Sequence, residues 1–244
     1  MTAHVATTRE GAVTHVRLAR PDKLNAFNDA LVEGIADAIA AACSDGTRLL
    51  VVSGEGKGFS GGFDLGGLDS MTDGDLLLRF VRVEELLQAV YHAPFTTLSL
   101  AHGACYGAAA DLFAACHFRV AAPGTRFRMP GPKFGVVLGT RRLANLIGAD
   151  HARRLLFRDG PFDADEALRC GYAQELCAQV QWPEIITRTR SIAETQDANV
   201  TARILDRVSG DTRDADMAEL VRSVTKGSIK ARISSYLASM RAKN

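Results

Sequence analysis

Phe59-Ser60-Gly61-Gly62-Phe63-Asp64-Leu65 follows the apolar run Leu49-Leu50-Val51-Val52, and His102-Gly103-Ala104-Cys105-Tyr106-Gly107-Ala108-Ala109-Ala110-Asp111 follows the apolar run from Phe95 to Leu100. Each run has the composition of a buried strand, and each loop then delivers small residues where a helix can begin. Small residues let a ligand approach the main chain, and N–H groups at a helix start are free to point at negative charge. Two such loops could aim two N–H groups at one carbonyl oxygen, which is the arrangement of an oxyanion hole. For either loop alone, an ordinary glycine-containing turn from strand to helix is the competing reading.

Outward from these loops the first half alternates strands and helices. Val13 to Leu18 has the period of two of a half-buried strand, and Ala19 to Asn25 is a polar loop broken by Pro21. Residues 27–44 place Phe27, Leu31, Ile35, Ile39 and Ala42 on one helical face, with Asn28 as the cap. A strand at 48–53, a helix near 73–91, a strand at 96–100 and an Ala-rich buried helix at 107–116 follow. This order indicates an α/β fold of crossover units on a sheet rather than a helical bundle. From about residue 140 the pattern turns helical, with short helices at Arg141–Ile147, Asp150–Phe157 and Asp163–Arg169. Tyr172 to Leu176 reads as a short strand or turn, and 183–243 as helical with caps at Asp197 and Asp211.

The 244 residues carry 47% apolar and 23% charged side chains and a formal net charge of +1, so no global field points to nucleic acid or acidic lipid. Cys43, Cys105, Cys116, Cys170 and Cys177 are odd in number without C-x-x-C spacing, which fits reduced thiols in the cytoplasm. No segment approaches the roughly 20 apolar residues of a membrane span. No signal core opens the chain, and the histidines lack ligand spacing, so neither a membrane partner nor a metal is expected.

At three places the sequence resembles the crotonase superfamily, also called the enoyl-CoA hydratase/isomerase family. Pro21-Asp22-Lys23-Leu24-Asn25-Ala26-Phe27 is similar to its first loop. Gly58 to Leu65 is similar to F-[SC]-A-G-x-D-[LI], and His102 to Leu112 to the N/H-G-x-x-x-G-G/A-G/A-x-E/D-L motif. Weaker similarity continues through Gly139-Thr140-Arg141-Arg142-Leu143 and Phe162 to Ala167. The resemblance implies a spiral core of ββα units over residues 1–183. It also implies a C-terminal helical region, 184–244, serving oligomerisation to a trimer or hexamer and a lid. It implies an acyl-CoA thioester as substrate, with coenzyme A part of that substrate and no separate cofactor. By motif position, the N–H groups of Phe63 and Ala108 form the oxyanion hole. Gly61, Asp64, Leu65 and Gly66 line the CoA path, joined by Lys23 and Ala26.

The acid–base groups decide the reaction. Asp111 lies three positions after Ala108, on the same helical face, and matches the first catalytic glutamate of the hydratases. Its neighbours are Ala, Leu, Phe and Cys, so an inward carboxylate would be desolvated, with a raised pKa suited to proton transfer near neutral pH. An acid in a helix's first turn also stabilises the dipole without catalytic duty. The second glutamate of the hydratases falls on Gly131, and glycine cannot move a proton. The loop Phe134-Gly135-Val136-Val137-Leu138-Gly139 is also shorter than in relatives.

Among other residues, His102 is expected to brace its loop, His117 to be structural and Cys105 to pack. Arg128 could hold a substrate carboxylate or be a strand-edge arginine. Asp69, Glu84 and Glu85 could enter the site or face solvent. The basic stretch Lys226 to Arg232 reads as a solvated helix face or a landing for CoA phosphates. The expectation is therefore an enzyme that stabilises a thioester enolate and shifts a proton, as in isomerisation, with slow hydration as the weaker version. The rival readings are a non-catalytic acyl-CoA binder and a thioester decarboxylase or hydrolase.

Overall fold

The computed structural model describes residues 4–242. Its core is a spiral in which each turn lays a strand into a main sheet, crosses to a second layer, and returns through a helix. After a hairpin of β1 (Val5–Glu10) and β2 (Val13–Leu18), the second layer is touched at Phe27 before α1 (Asp29–Ala42). β3 (Leu49–Gly54) reaches it at Ser60 and Phe63 before α2 (Asp73–Tyr91). β4 (Thr96–Ala101) continues into β5 (Ala104–Tyr106) and α3 (Ala108–Ala115). β6 (Phe118–Ala121) continues into β7 (Arg126–Arg128) and then α4 (Thr140–Ile147). The main sheet runs β1-β2-β3-β4-β6-β9, with β9 at Glu175–Leu176, and every pairing after the first hairpin is parallel. The second sheet is β5-β7-β8, with β8 at Phe162–Asp163. The parallel bridges Phe27–Phe63 and Ser60–Cys105 continue this second layer into the two Gly-rich loops.

The local causes are legible. Asn28 caps α1 by accepting from Leu31 N–H at 3.0 Å, and Leu31, Ile35, Ile39 and Ala42 are buried, as the helical face required. α2 starts in a capping box in which Thr72 and Asp75 bond reciprocally. α3 is almost entirely buried, and its Ala side chains let it lie close between the sheets. Its Phe113 packs in one cluster with Phe127, Phe162 and Tyr172 beneath it at ring separations of 5.0–5.4 Å. The Tyr172 hydroxyl donates to Ala110 O at 2.5 Å and so ties α3 to this aromatic base.

The C-terminal helices do two separate jobs. α5 (Ala149–Phe157) and α6 (Ala164–Arg169) close the spiral, and α7 (Trp182–Thr195) covers the back of the main sheet, where Ile185 and Ala193 meet Leu49, Val51 and Leu98. The boundary expected between residues 183 and 184 therefore falls inside a helix that belongs to the core packing. α8 (Ala198–Ser209) leads to α9 (Arg213–Thr225) and α10 (Ile229–Arg241), which fold back over α2 of the same chain. Leu220, Val224, Ile229 and Ile233 form a second cluster there with Leu68, Leu76, Phe80 and Val136. The Asp197 cap forms, but Asp211 sits one residue outside the cap position, which Thr212 holds; its carboxylate takes the Arg213 N–H. The helix expected to residue 243 runs one residue beyond those described.

Candidate functional site

Two loops of the second layer carry the site. The bridge between Ser60 and Cys105 locks them side by side, with Ser60 N–H donating to Ala104 O and Tyr106 N–H donating to Ser60 O, both at 3.0 Å. Three residues beyond each bridge partner stand Phe63 and Ala108. The Phe27 bridge uses Gly62 O and Asp64 N–H, so Phe63 N–H faces the opposite edge. Ala108 opens α3 after Gly107, which has φ +54, so its N–H is one of the unpartnered donors of a helix start. At Gly62, with φ +87, a side chain would collide with Tyr106 O; glycine is what lets the loops touch. The Phe63 ring is fixed between the Phe80 ring and the Arg79 guanidinium, each 4.4 Å away.

Phe63, Ala108 and Asp111 line one cavity of about 200 Å³, together with Gly61 and Leu65. Phe80, Met129, Val136 and Leu138 make much of it apolar, Gly131 forms part of its wall, and Tyr236 reaches it from α10. The Asp111 carboxyl is half-buried and has no hydrogen-bond partner among the described residues. Burial raises its pKa from 3.8 to about 7, with Arg142 opposing the rise and Glu84 adding to it. Gly139, at φ +65, leaves room for it, because a Cβ there would collide with Asp111 Oδ1. Behind it, Arg142 and Glu84 form a buried two-pronged pair at 2.7 and 2.6 Å, and Gln88 donates to Glu84 at 2.8 Å. Two unpartnered N–H groups beside a carboxyl that titrates near neutrality can polarise a carbonyl and move a proton next to it.

The profile of the enoyl-CoA hydratase/isomerase family matches residues 8–221. This chain belongs to that family, within the crotonase superfamily. The Mycobacterium tuberculosis protein named probable enoyl-CoA hydratase echA6 is 32% identical over 195 residues, covering 78% of each chain. The trans-2-decenoyl-[acyl-carrier-protein] isomerase of Streptococcus mutans is 30% identical over 187 residues, covering 73% of this chain and 71% of its own. A crystal structure from Bordetella parapertussis, assigned as an enoyl-CoA hydratase/isomerase, superposes with a TM-score of 0.95 at 45% identity, covering 97% of this chain and 99% of that one.

Not every expected residue of the crotonase pattern enters the cavity. Lys23 is exposed, and Lys23, Ala26, Asp64 and Gly66 are outside its lining. The Asp64 carboxylate is already used, accepting from Arg20 at 2.5 Å and from Gly66 N–H at 2.8 Å. Against the cost of burial, the Gly66 N–H and Arg20 hold its pKa low. Glu84 is buried in its ion pair, whereas Asp69 and Glu85 are exposed. Within the basic stretch Lys226 is exposed, whereas Arg232 donates to the carbonyls of Phe134, Gly135, Ser223 and Val224, and Lys230 to those of Asp69 and Met71. These bonds clamp α10 and α9 onto the cavity wall. His102 braces its loop through Gly56 O at 2.9 Å, His117 is pushed down to about 4 by burial, and Cys105 is a buried thiol raised by burial. Asn25, Gly139 and Arg142 were not marked as site residues by the sequence. Asn25 donates to the carbonyls of Glu55, Gly58 and Phe59 and so staples the Pro21–Phe27 loop to the first Gly-rich loop. Its left-handed φ of +50 carries no pattern that single-chain reading detects.

Proposed function

We propose that this protein acts on an acyl-CoA thioester as a one-acid enolate enzyme, moving a proton between the carbons of an enoyl chain. The observation that carries this reading is that Phe63, Ala108 and Asp111 line one cavity whose wall also includes Gly131. The thioester oxygen accepts from the two N–H groups, with the positive end of α3 adding to their field. The ionised Asp111 removes a proton from the α-carbon of a 3-enoyl thioester. The electron pair moves into the dienolate, with charge on the thioester oxygen. The same carboxyl then delivers that proton to the γ-carbon, giving the 2-enoyl product, and no second acid is required. Hydration needs one group to activate water and another to protonate the α-carbon, so it is the slower reaction here. The Pro21–Phe27 loop, with its exposed Lys23 and with Ala26, and the Asp64-Leu65-Gly66 backbone belong to the CoA path in the same reading. So do assembly as a trimer or hexamer, a cytoplasmic location and the absence of a cofactor beyond the substrate's own CoA.

Gly131 also supports a second reading, a non-catalytic acyl-CoA carrier. Incubation with saturated and 3-enoyl acyl-CoA in D₂O separates the two. Deuterium incorporation at the α-carbon, lost in Asp111→Asn, is expected; tight binding without any incorporation would leave only the carrier.

A further inference from the structure

The cavity shares one wall, formed by Arg128, Phe134 and Tyr236, with a wider cleft of about 930 Å³ beneath α10. Arg128 ends β7 in register with Tyr106, and its carbonyl accepts from Gly107 N–H at 2.8 Å. Its backbone is thus fixed beside the residue that precedes the Ala108 donor. Its guanidinium is differently placed from the other cations around the cleft. Lys133 pairs with Asp159 at 2.8 Å, and Arg232 is spent on four carbonyls. Arg128 meets only the thioether of Met240, with Nη2 3.4 Å from Sδ, and pairs with no carboxylate among the described residues.

A thioether is a weak acceptor for a group with five N–H donors. The complement of a guanidinium is a planar anion, and a carboxylate satisfies two donors at once. Among the described residues no carboxylate pairs with Arg128 at this wall, the Asp159 carboxylate of the cleft meets Lys133, and Gly131, three residues on, projects nothing into the space. The charges that act on the Asp111 carboxyl are those of Arg142 and Glu84.

We propose that the preferred substrate is a CoA thioester whose acyl chain ends in a second carboxylate, and that Arg128 holds that carboxylate. This rests on the acyl-CoA reading above. The thioester carbonyl lies at Phe63 and Ala108, the methylenes run past Met129 and Val136, and the far carboxylate meets the guanidinium where the cavity opens into the cleft. A neutral chain of the same length leaves the guanidinium facing a thioether and cavity water. One charge-assisted pair gives a preference of roughly tenfold or more.

The test is calorimetric binding of glutaryl-, adipyl- and suberyl-CoA against pentanoyl-, hexanoyl- and octanoyl-CoA and free CoA. Wild type should favour at least one ω-carboxyacyl chain over its neutral counterpart by roughly tenfold. Arg128→Met should abolish that ratio, and Arg128→Lys should keep part of it because the charge remains. A ratio near one at every length in wild type overturns the proposal, as does a preference that survives Arg128→Met. So does an equal loss of free CoA, neutral and ω-carboxyacyl binding in Arg128→Met, which would make Arg128 a contact to CoA itself. Failure of every acyl-CoA to bind would remove the acyl-CoA reading as well, whereas neutral chains that bind and exchange without any preference remove only this proposal.

Discussion

Replacing Asp111 by Asn should stabilise the protein at alkaline pH while removing its chemistry. Burial lifts the carboxyl from 3.8 to about 7, so the native state binds this proton more tightly than the unfolded chain does. The resulting stability is fully present below about pH 4, is lost as the pH rises towards 7, and changes little above that. At about 1.4 kcal/mol per pH unit, the span sets an upper limit of about 4 kcal/mol. The carboxyl is only half-buried and open to cavity water, so about 2 kcal/mol is the expected size. Asn carries no charge at any of these pH values and avoids the cost. Thermal melts of the two proteins should nearly coincide at pH 4.5. At pH 9 Asp111→Asn should melt roughly 4–8 °C higher, since 1 kcal/mol moves Tm by about 2–4 °C in a domain of this size. The D₂O exchange rate of wild type should rise with pH through a midpoint above the ordinary carboxylate range, as the carboxylate form appears, and fall by about 10²–10⁴ in the variant. A Tm separation that stays constant from pH 4.5 to pH 9 would refute the reasoning, because it would mean that the carboxyl is not held protonated by its surroundings.

Gly139→Ala forces a Cβ against Asp111 Oδ1 at a residue with φ +65. Exchange should fall by about 10²-fold from misplacement alone, while acyl-CoA binding in calorimetry persists. Arg142→Met strands the buried Glu84 and should cost roughly 3–5 kcal/mol in denaturant melts. It should also move the exchange midpoint upward, because the one cation opposing protonation of Asp111 is gone. Gly131→Glu places a second acid on the cavity wall, where its Cβ would lie 3.3 Å from Val136 O and needs only a small shift. Disappearance of the 2-enoyl chromophore should accelerate by roughly tenfold or more if a second proton carrier is what hydration lacks. A folded, CoA-binding variant without acceleration would count against that account.

The alternating half of the fold was legible because its strands and helices are long enough to show a period. α2 spans 73–91 as its pattern required, and Asn28 caps α1. β5, β7, β8 and the two isolated bridges are three residues or fewer, too short for any periodicity, although they build the layer that carries the site. The two loops that carry Phe63 and Ala108 were legible because glycine and alanine at a strand-to-helix turn are a local signal; the choice of Phe63, Ala108 and Asp111 within them came from the family resemblance, and the three line one cavity. Asp64 and Glu84 were not, because their partners Arg20 and Arg142 lie 44 and 58 residues away. A carboxylate committed to a distant arginine looks, in sequence, like one available to a ligand. The same distance effect hid the clamp of Arg232 on the loop after Gly131: a basic run on a helix reads as solvated until the carbonyls it meets are known.

The freedom of Asp111 bears on which reaction the cavity favours. A base that hands a proton from the α-carbon to the γ-carbon must face both in turn, so it works best when no protein donor pins it. Asp111 has no such donor among the described residues, Gly139 leaves space around its oxygens, and Arg142 acts on it without a hydrogen bond because Glu84 takes both of that guanidinium's prongs. The two N–H groups, in contrast, are fixed by strand bridges and a helix start and have no hydrogen-bond partner among the described residues. A rigid electrostatic site paired with one movable acid suits a proton shift within one substrate. An addition in which water and proton arrive from separate groups would need a second fixed acid, and position 131 has no side chain to supply it.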